Sequence, residues 1–332
     1  MIEPKKRLVE FEALRGLSIV LLLALHSEII GASLYGVSLD PLAKFVGAFL
    51  LGSFFFLAGY FMDMSLQRSR DDMFGFVKSR FIRIFPPYWL SMLFFIKLFT
   101  LKRIELVVYL LNLQAVFSPE FVKPLLTLWY ISMLVVYYII FGVLLWRAKS
   151  NKSLLLLSIA VFAVVYVVHL TNGLFDVRFF RYFFIFLAGV YFYRFENVRE
   201  FLLNIPLFYK AVAAIISSWL FWLVQINELP MTNGYYLLVV DSFILIWALT
   251  FLSIFRLPIG SWKIWVLLST ASYFAYLFHR PLWYLLQLVF DVEAWGGEAV
   301  FNFTIGSIVT LIVGYFLQVG YDRLLATLRL KG

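Results

Sequence analysis

The sequence predicts an all-α, polytopic integral membrane protein of about ten transmembrane helices with both termini in the cytoplasm. Three observations lead there. Of 332 residues, 63% are hydrophobic and 20% aromatic, only 14% are charged, and the mean hydropathy is +0.92. A soluble domain carries roughly 25% charged and roughly 45–50% apolar residues, so an ordinary cytoplasmic enzyme is excluded, as is a disordered chain. The apolar residues come in repeated runs close to the roughly 20 needed to cross a bilayer. Finally, Lys and Arg concentrate in alternate connections between those runs.

Apolar runs between polar punctuation place the spans near 13–33, 42–66, 84–101, 125–147, 153–171, 179–195, 207–225, 235–255, 264–289 and 299–320. The third and sixth are short and are expected to be broken or partly re-entrant. Gly296-Gly297, the Pro-flanked stretch 118–124 and Leu229-Pro230 are expected connectors. The basic start Lys5-Lys6-Arg7 leads into the first run with no small-residue cleavage pattern, which predicts a retained span rather than a signal peptide. No internal repeat or soluble domain is evident, so residues 1–332 read as one transmembrane domain with nothing appended.

Orientation follows from the basic residues. Lys5, Lys6, Arg7 and Arg15 would share a side with Arg68, Arg70, Lys78, Arg80 and Arg83, with Arg147, Lys149 and Lys152, with Arg194, Arg199 and Lys210, and with Arg256, Lys263, Arg323, Arg329 and Lys331. The opposite side holds only Lys44, Lys102, Arg103, Lys123, Arg178, Arg181 and Arg280. The richer side is the cytoplasmic one. The net charge of +9 is then a matter of anionic headgroups rather than of nucleic acid. With no cysteine and only His26, His169 and His279, none spaced as a helical ligand pair, neither thiol chemistry nor a zinc site is expected.

Ionisable groups inside a membrane are costly and mark function by default. Arg15 and His26 stand eleven residues apart, so on a helix they differ by only about 20° in azimuth and about 16 Å along the axis. A cation at the cytoplasmic mouth suits a phosphate, and a neutral imidazole nearer mid-membrane suits a general base. The competing structural roles are snorkelling of Arg15 beside Glu12 and an interhelical hydrogen bond at His26.

The inner stretch Ser79 to Trp89 carries Arg80 and Arg83, a pair suited to phosphate through forked donors, with Pro86-Pro87 expected to open the following helix. Its competing role is a positive-inside charge cluster. Ser272 to Leu282 places His279 inside the ninth span just before Arg280 and Pro281. Arg178 and Arg181 repeat the R-x-x-R spacing on the outer side, where with Trp129 they are candidates to meet an anionic acceptor. The alternative is a pairing with Asp176.

These stretches together resemble the membrane acyltransferase-3 family. Phe11-Glu12-Ala13-Leu14-Arg15-Gly16 through His26 resembles its first-helix motif, and Ser53 to Tyr60 its Phe-rich second helix. Arg80-Phe81-Ile82-Arg83-Ile84-Phe85-Pro86 resembles its R-x-x-R-I-x-P motif, Leu128-Trp129-Tyr130-Ile131-Ser132 its Trp-led helix, and Ser272 to Pro281 its S-Y-x-x-Y-L-x-H-x-P block. Each motif is soft alone, but five in order across the chain are specific.

The resemblance implies an enzyme that moves an acyl group, most often acetyl, from cytoplasmic acyl-CoA to a hydroxyl of a surface polysaccharide or lipid-linked glycan. Acetyl-CoA would be a substrate, and no permanently bound cofactor or metal is implied. Arg15, Arg80 and Arg83 would hold the CoA phosphates. His26 would act as base or transient acyl carrier, His279 would assist it, and Glu12 would support Arg15. The location implied is a bacterial inner membrane. One departure stands out: many members carry a Glu soon after the Trp of the Trp-led helix, and here Met133-Leu134-Val135 follows, leaving Glu28 and Asp241 as substitute acids. Without an appended esterase-like domain, transfer would run directly to the acceptor or through a separate extracytoplasmic partner. The rival reading is a transporter lined by Arg15, His26 and His279.

Overall fold

The computed structural model describes residues 8–30, 33–34, 37–38, 40–68, 72–98, 103–292 and 297–328. Lys5, Lys6, Arg7, Arg70, Lys102, Gly296, Arg329 and Lys331 lie outside the described residues. The architecture is helical: α1 Val9–His26, α2 Asp40–Arg68, α3 Met73–Leu98, α4 Arg103–Leu110, α5 Gln114–Phe117, α6 Trp129–Arg147 and α7 Asn151–Asn172. There follow α8 Arg178–Arg194, α9 Glu196–Asn204, α10 Leu207–Ile226, α11 Gly234–Ile254, α12 Lys263–Phe290, α13 Glu298–Phe301 and α14 Ser307–Thr327. The α1–α2 connection holds a two-residue antiparallel ladder, Ser33 opposite Ser38 and Leu34 opposite Val37.

Six helical segments among the described residues are long and apolar enough to cross a membrane: Asp40–Arg68, Leu126–Arg147, Asn151–Asn172, Leu207–Ile226, Gly234–Ile254 and Glu298–Thr327. Four expected spans, near 13–33, 84–101, 179–195 and 264–289, overlap helices that fall short of that standard. The 18 residues of α1 include Glu10, Glu12 and Arg15, and α8 has only 17 residues, with Arg178, Arg181 and Arg194 among them.

Two expected boundaries move. The first helix closes at His26 instead of near 33, because Ser27 turns its hydroxyl back to the Ala24 carbonyl and Glu28 adopts a left-handed φ of 68°. The R-x-x-R stretch lies inside α3, which runs unbroken through Pro86 and Pro87. Proline removes a backbone donor and is expected to end or kink a helix. Here the apolar residues on both sides carry the helix through.

The described residues divide into two compact units, one drawn from Met1–Leu57, Glu196–Glu228 and Ser242–Leu328, the other from Ala58–Phe195 and Leu229–Asp241. In the first, α12 packs against both α1 and α14. Small residues set the approach: a Cβ at Gly16 would lie 3.2 Å from the Trp265 carbonyl oxygen, and one at Gly314 only 2.8 Å from the Ala275 nitrogen. Phe45 meets Phe221, Phe243 and Trp247 edge-on. Buried Lys210 donates to the Leu203 carbonyl (2.8 Å) and to Ser253 Oγ (2.5 Å), satisfying an ammonium that would otherwise be costly to bury.

The second unit is built on aromatic packing. Phe179, Phe183 and Phe186 share one face of α8, as their spacing dictates, and meet Tyr137 and Phe141 of α6. The Tyr137 hydroxyl donates to the Phe179 carbonyl at 2.6 Å. Phe162 of α7 closes on Phe180 and Phe184.

Candidate active site

In the first unit the last residue of α1 meets the middle of α12. His26 Nδ1 lies 2.9 Å from His279 Nε2, with ring planes within 10° of one another and centroids 5.0 Å apart. His279 is fully buried, and its Nδ1 lies 2.8 Å from the carbonyl oxygen of Tyr276, one turn earlier. These contacts fix the ring protons when both imidazoles are neutral. Facing a carbonyl, His279 Nδ1 must carry hydrogen and donate it. Its Nε2 is then a lone pair and accepts from His26 Nδ1–H. What remains is an unprotonated Nε2 on His26, the atom a general base needs. A third group orienting a base through its second nitrogen is the logic of a catalytic triad, filled here by a histidine and a backbone carbonyl.

The surroundings hold this chain in place. Trp283 stands edge-on to the His279 ring, with centroids 5.2 Å apart at 76°. Its own space exists because Gly306 lies against it, where a Cβ would come within 2.8 Å of the indole. Gly306 closes a π-helical turn, Asn302–Gly306, anchored by Gln287 Nε2 donating to Asn302 Oδ1 at 3.0 Å. Pro281, two residues beyond His279, withholds a backbone donor from this part of α12. Arg15 and Glu12 are half-buried on the same continuous α1 as His26. Gly16, beside Arg15 in the motif, lets α1 approach α12.

In the second unit, Arg80 and Arg83 lie one turn apart on α3, Arg80 half-buried and Arg83 exposed. Arg80 reaches the Phe61 carbonyl at 3.5 Å and stands over the rings of Phe76 (5.3 Å) and Tyr138 (5.2 Å). Its guanidinium is therefore oriented before any ligand arrives. Asp63, on α2, forms a two-pronged ion pair with Arg194 at the C-terminal end of α8 (2.7 and 3.1 Å), and Arg194 also donates to Asn151 Oδ1 at 3.0 Å. Sequence reading counted Arg194 only as a loop cation and missed Asp63. With 131 positions between the partners, no local pattern signals the pair.

At the opposite end of α8, Arg178 donates through Nε to Asp176 Oδ1 at 2.7 Å and lies 3.8 Å over the Trp129 ring. Its charge is thus answered within the protein. Arg181 stands over the rings of Tyr182 (5.5 Å) and Tyr236 (5.8 Å). Ser132, which ends the Trp-led motif, is structural: it accepts from the Ala115 amide at 2.9 Å and donates to the Asn112 carbonyl at 2.6 Å. His169 likewise serves the backbone, its Nδ1 within 3.0 Å of the Leu174 carbonyl and 2.8 Å of that of Phe175. Of the two substitute acids, Glu28 is exposed in the turn after His26, and Asp241 is half-buried on α11. Among the described residues no group of three His, Asp or Glu side chains is placed to hold a metal ion.

No curated protein and no solved structure matches the chain. A family model described as an acyltransferase domain matches residues 8–319, which takes in the histidine pair, both R-x-x-R motifs and the Trp-led helix. The chain belongs to the membrane acyltransferase-3 family and is an integral-membrane acyltransferase.

Proposed function

We propose that the protein transfers acetyl from cytoplasmic acetyl-CoA to a hydroxyl of a carbohydrate acceptor, a surface polysaccharide or lipid-linked glycan, at a bacterial inner membrane. The observation that carries this reading is the chain from His26 through His279 to the Tyr276 carbonyl, which leaves His26 Nε2 as a lone pair. The acceptor hydroxyl gives its proton to that nitrogen while its oxygen bonds to the thioester carbonyl carbon. The carbon–sulfur bond then breaks, and the departing CoA thiolate takes the proton from the His26 imidazolium. His279 positions the ring and stabilises its transient charge through the Nδ1 hydrogen bond. Arg80 and Arg83 on α3 are cations suited to the CoA phosphates, Arg80 with its guanidinium already oriented, and Arg15 on α1 is a further cation of the same kind. The whole chain acts as one catalytic domain with both termini in the cytoplasm.

The test is acetyl-CoA binding by the purified protein in detergent, with dephospho-CoA as control, for wild type, Arg80→Ala and His26→Ala. Micromolar-order binding that weakens without the phosphate or Arg80 and persists without His26 is expected. A folded wild-type protein that binds no acetyl-CoA overturns the reading.

A further inference from the structure

Helix α9, Glu196–Asn204, has 9 residues, too few to cross a bilayer. At about 100° per residue, Val198, Phe201 and Leu202 fall within about 100° of arc, while Glu196, Arg199, Glu200 and Leu203 fall on the opposite side. That opposite side is held to the protein. Arg256, just beyond α11, donates to both Glu200 carboxylate oxygens (2.8 and 2.9 Å) and to Asn204 Oδ1 (3.4 Å), and lies 3.9 Å from Glu10 of α1. Arg199 pairs with Glu196 at 2.8 Å and with Glu200 at 3.5 Å. Lys210 of α10 donates to the Leu203 carbonyl in the last turn of α9, where a cation complements the helix dipole.

The charges of α9 are thus answered on its docked side, and the apolar arc is left outside. Phe201 is 68% exposed and Val198 52%. The chain fixes where that arc stands. Only Ile205 and Pro206 separate α9 from α10, a reach of about 7 Å at most, and α10 is long and apolar enough to cross the membrane. The first turn of α10 carries Phe208 and Tyr209, 72% and 64% exposed. An exposed tyrosine at the end of a span belongs at headgroup level, so α9 starts from that depth. A short helix there, with one apolar face and its charges turned away, lies along the boundary between headgroups and acyl chains. We propose that α9 is an in-plane helix whose Val198, Phe201 and Leu202 are seated in the leaflet that α10 enters, the cytoplasmic one in the proposed orientation. Through Arg256 and Glu10 the bilayer surface then sets the height of the first turn of α1, the helix that carries His26. This seat goes beyond the acyl-transfer reading and does not depend on it.

The chain has no cysteine, so single-cysteine variants of the full chain take one nitroxide each. Phe201→Cys and Val198→Cys report the apolar arc, and Glu196→Cys the opposite side. Leu156→Cys serves as an exposed site within the span α7, and Lys149→Cys as an exposed site in a connection. Each variant is checked for thermal unfolding and reconstituted in phosphatidylcholine vesicles. Collision rates are compared for oxygen, which partitions into lipid, and for a water-soluble nickel chelate. The oxygen-to-nickel ratio for Phe201→Cys and Val198→Cys is expected to lie several-fold above those for Glu196→Cys and Lys149→Cys, toward that for Leu156→Cys. Ratios at both arc sites equal to that for Lys149→Cys overturn the proposal, because the arc then faces water as a docking face for a soluble protein would. Exclusion of both reagents from the arc overturns it in favour of cover by protein, a second copy if dilution with unlabelled chain restores access. The two arc sites lie one turn apart, so one variant that fails to fold leaves the other to decide.

Discussion

His26 Nδ1 and His279 Nε2 lie 2.9 Å apart although 253 positions separate them in the chain. The Tyr276 carbonyl sets the direction of the hydrogen bond by claiming the other nitrogen of His279. The consequence is a division of labour: His26 presents the reactive lone pair, and His279 keeps the ring in the tautomer that exposes it. His26→Ala is therefore expected to abolish acyl transfer with the fold retained. His279→Ala should reduce turnover by about 10²–10⁴, the range for losing one participant in proton transfer. CoA release measured beside thermal unfolding checks both, and normal turnover in folded His26→Ala would sink the mechanism.

Arg80 and Arg83 are one turn apart but differently held, so their substitutions should differ in kind. Arg83 is exposed, and Arg83→Ala is expected to raise the KM for acetyl-CoA about tenfold with kcat kept, as for one lost charge-assisted hydrogen bond. Arg80 also holds the Phe61 carbonyl and packs on Phe76 and Tyr138. Arg80→Ala should raise KM and lower the thermal midpoint together. Equal stability of the two variants would contradict the structural part of the Arg80 role.

The Asp63–Arg194 pair ties α2 to α8, with Asp63 only 1% exposed. Removing one partner of a buried ion pair leaves the other uncompensated, at about 3–5 kcal/mol. Asp63→Ala is expected to destabilise by that order. The double variant Asp63→Ala/Arg194→Leu should recover part of the loss, because no lone charge is left. Thermal unfolding of both variants checks this, and additive losses would argue against the pairing.

Three helical glycines give a graded series. At Gly314 a Cβ would press on backbone, 2.8 Å from the Ala275 nitrogen and 3.0 Å from the Ala271 carbonyl oxygen. At Gly16 it would meet its neighbours at 3.2 Å, and at Gly320 it would meet nothing within 4 Å. Gly314→Ala should be the most destabilising, on the order of 1–3 kcal/mol for overpacking, and Gly16→Ala intermediate. Gly320→Ala should be neutral or stabilising by about 0.5–1 kcal/mol, as for glycine replaced inside a helix. Thermal midpoints in that order are the expected result.

Glu200, on α9 outside the membrane-spanning helices, supplies an acid-sensitive contribution. Its partial burial is the largest single influence and works to raise its pKa. The hydrogen bonds and charges of Arg256 and Arg199 together outweigh it, so the carboxyl sits below its ordinary value of 4.5. A lowered folded-state pKa means stability that is complete above about 4.5 and is lost as pH falls through the folded value. The side chain is 43% exposed, so the effect is small. Glu200→Gln should flatten the acid limb of a plot of thermal midpoint against pH and leave neutral pH almost unchanged.

Much of this protein was legible without coordinates. The helices near 42–66, 125–147, 153–171, 207–225, 235–255 and 264–289 fall within a few residues of the observed ones. Bilayer-length apolar runs and their polar ends are local properties of the chain. The family motifs are local as well, and so are the candidate residues Arg15, His26, Arg80, Arg83 and His279. Distant pairing was not legible. Periodicity gave no sign that Ser27 and Glu28 would close α1 at His26, or that α3 would run through two prolines.

The sequence by itself determined the solvent this chain folds in, the positions of most of its long helices and its family, because burial in lipid depends on runs of neighbouring residues. Tertiary structure alone decided which charges are answered and which are not. Arg178 is neutralised by Asp176 and Arg194 by Asp63, while Arg181 Nε and Asp241 Oδ1 stay unmatched. It also decided the proton positions on His26 and His279, since a buried polar group takes its state from the partner brought to it, whatever its distance along the chain.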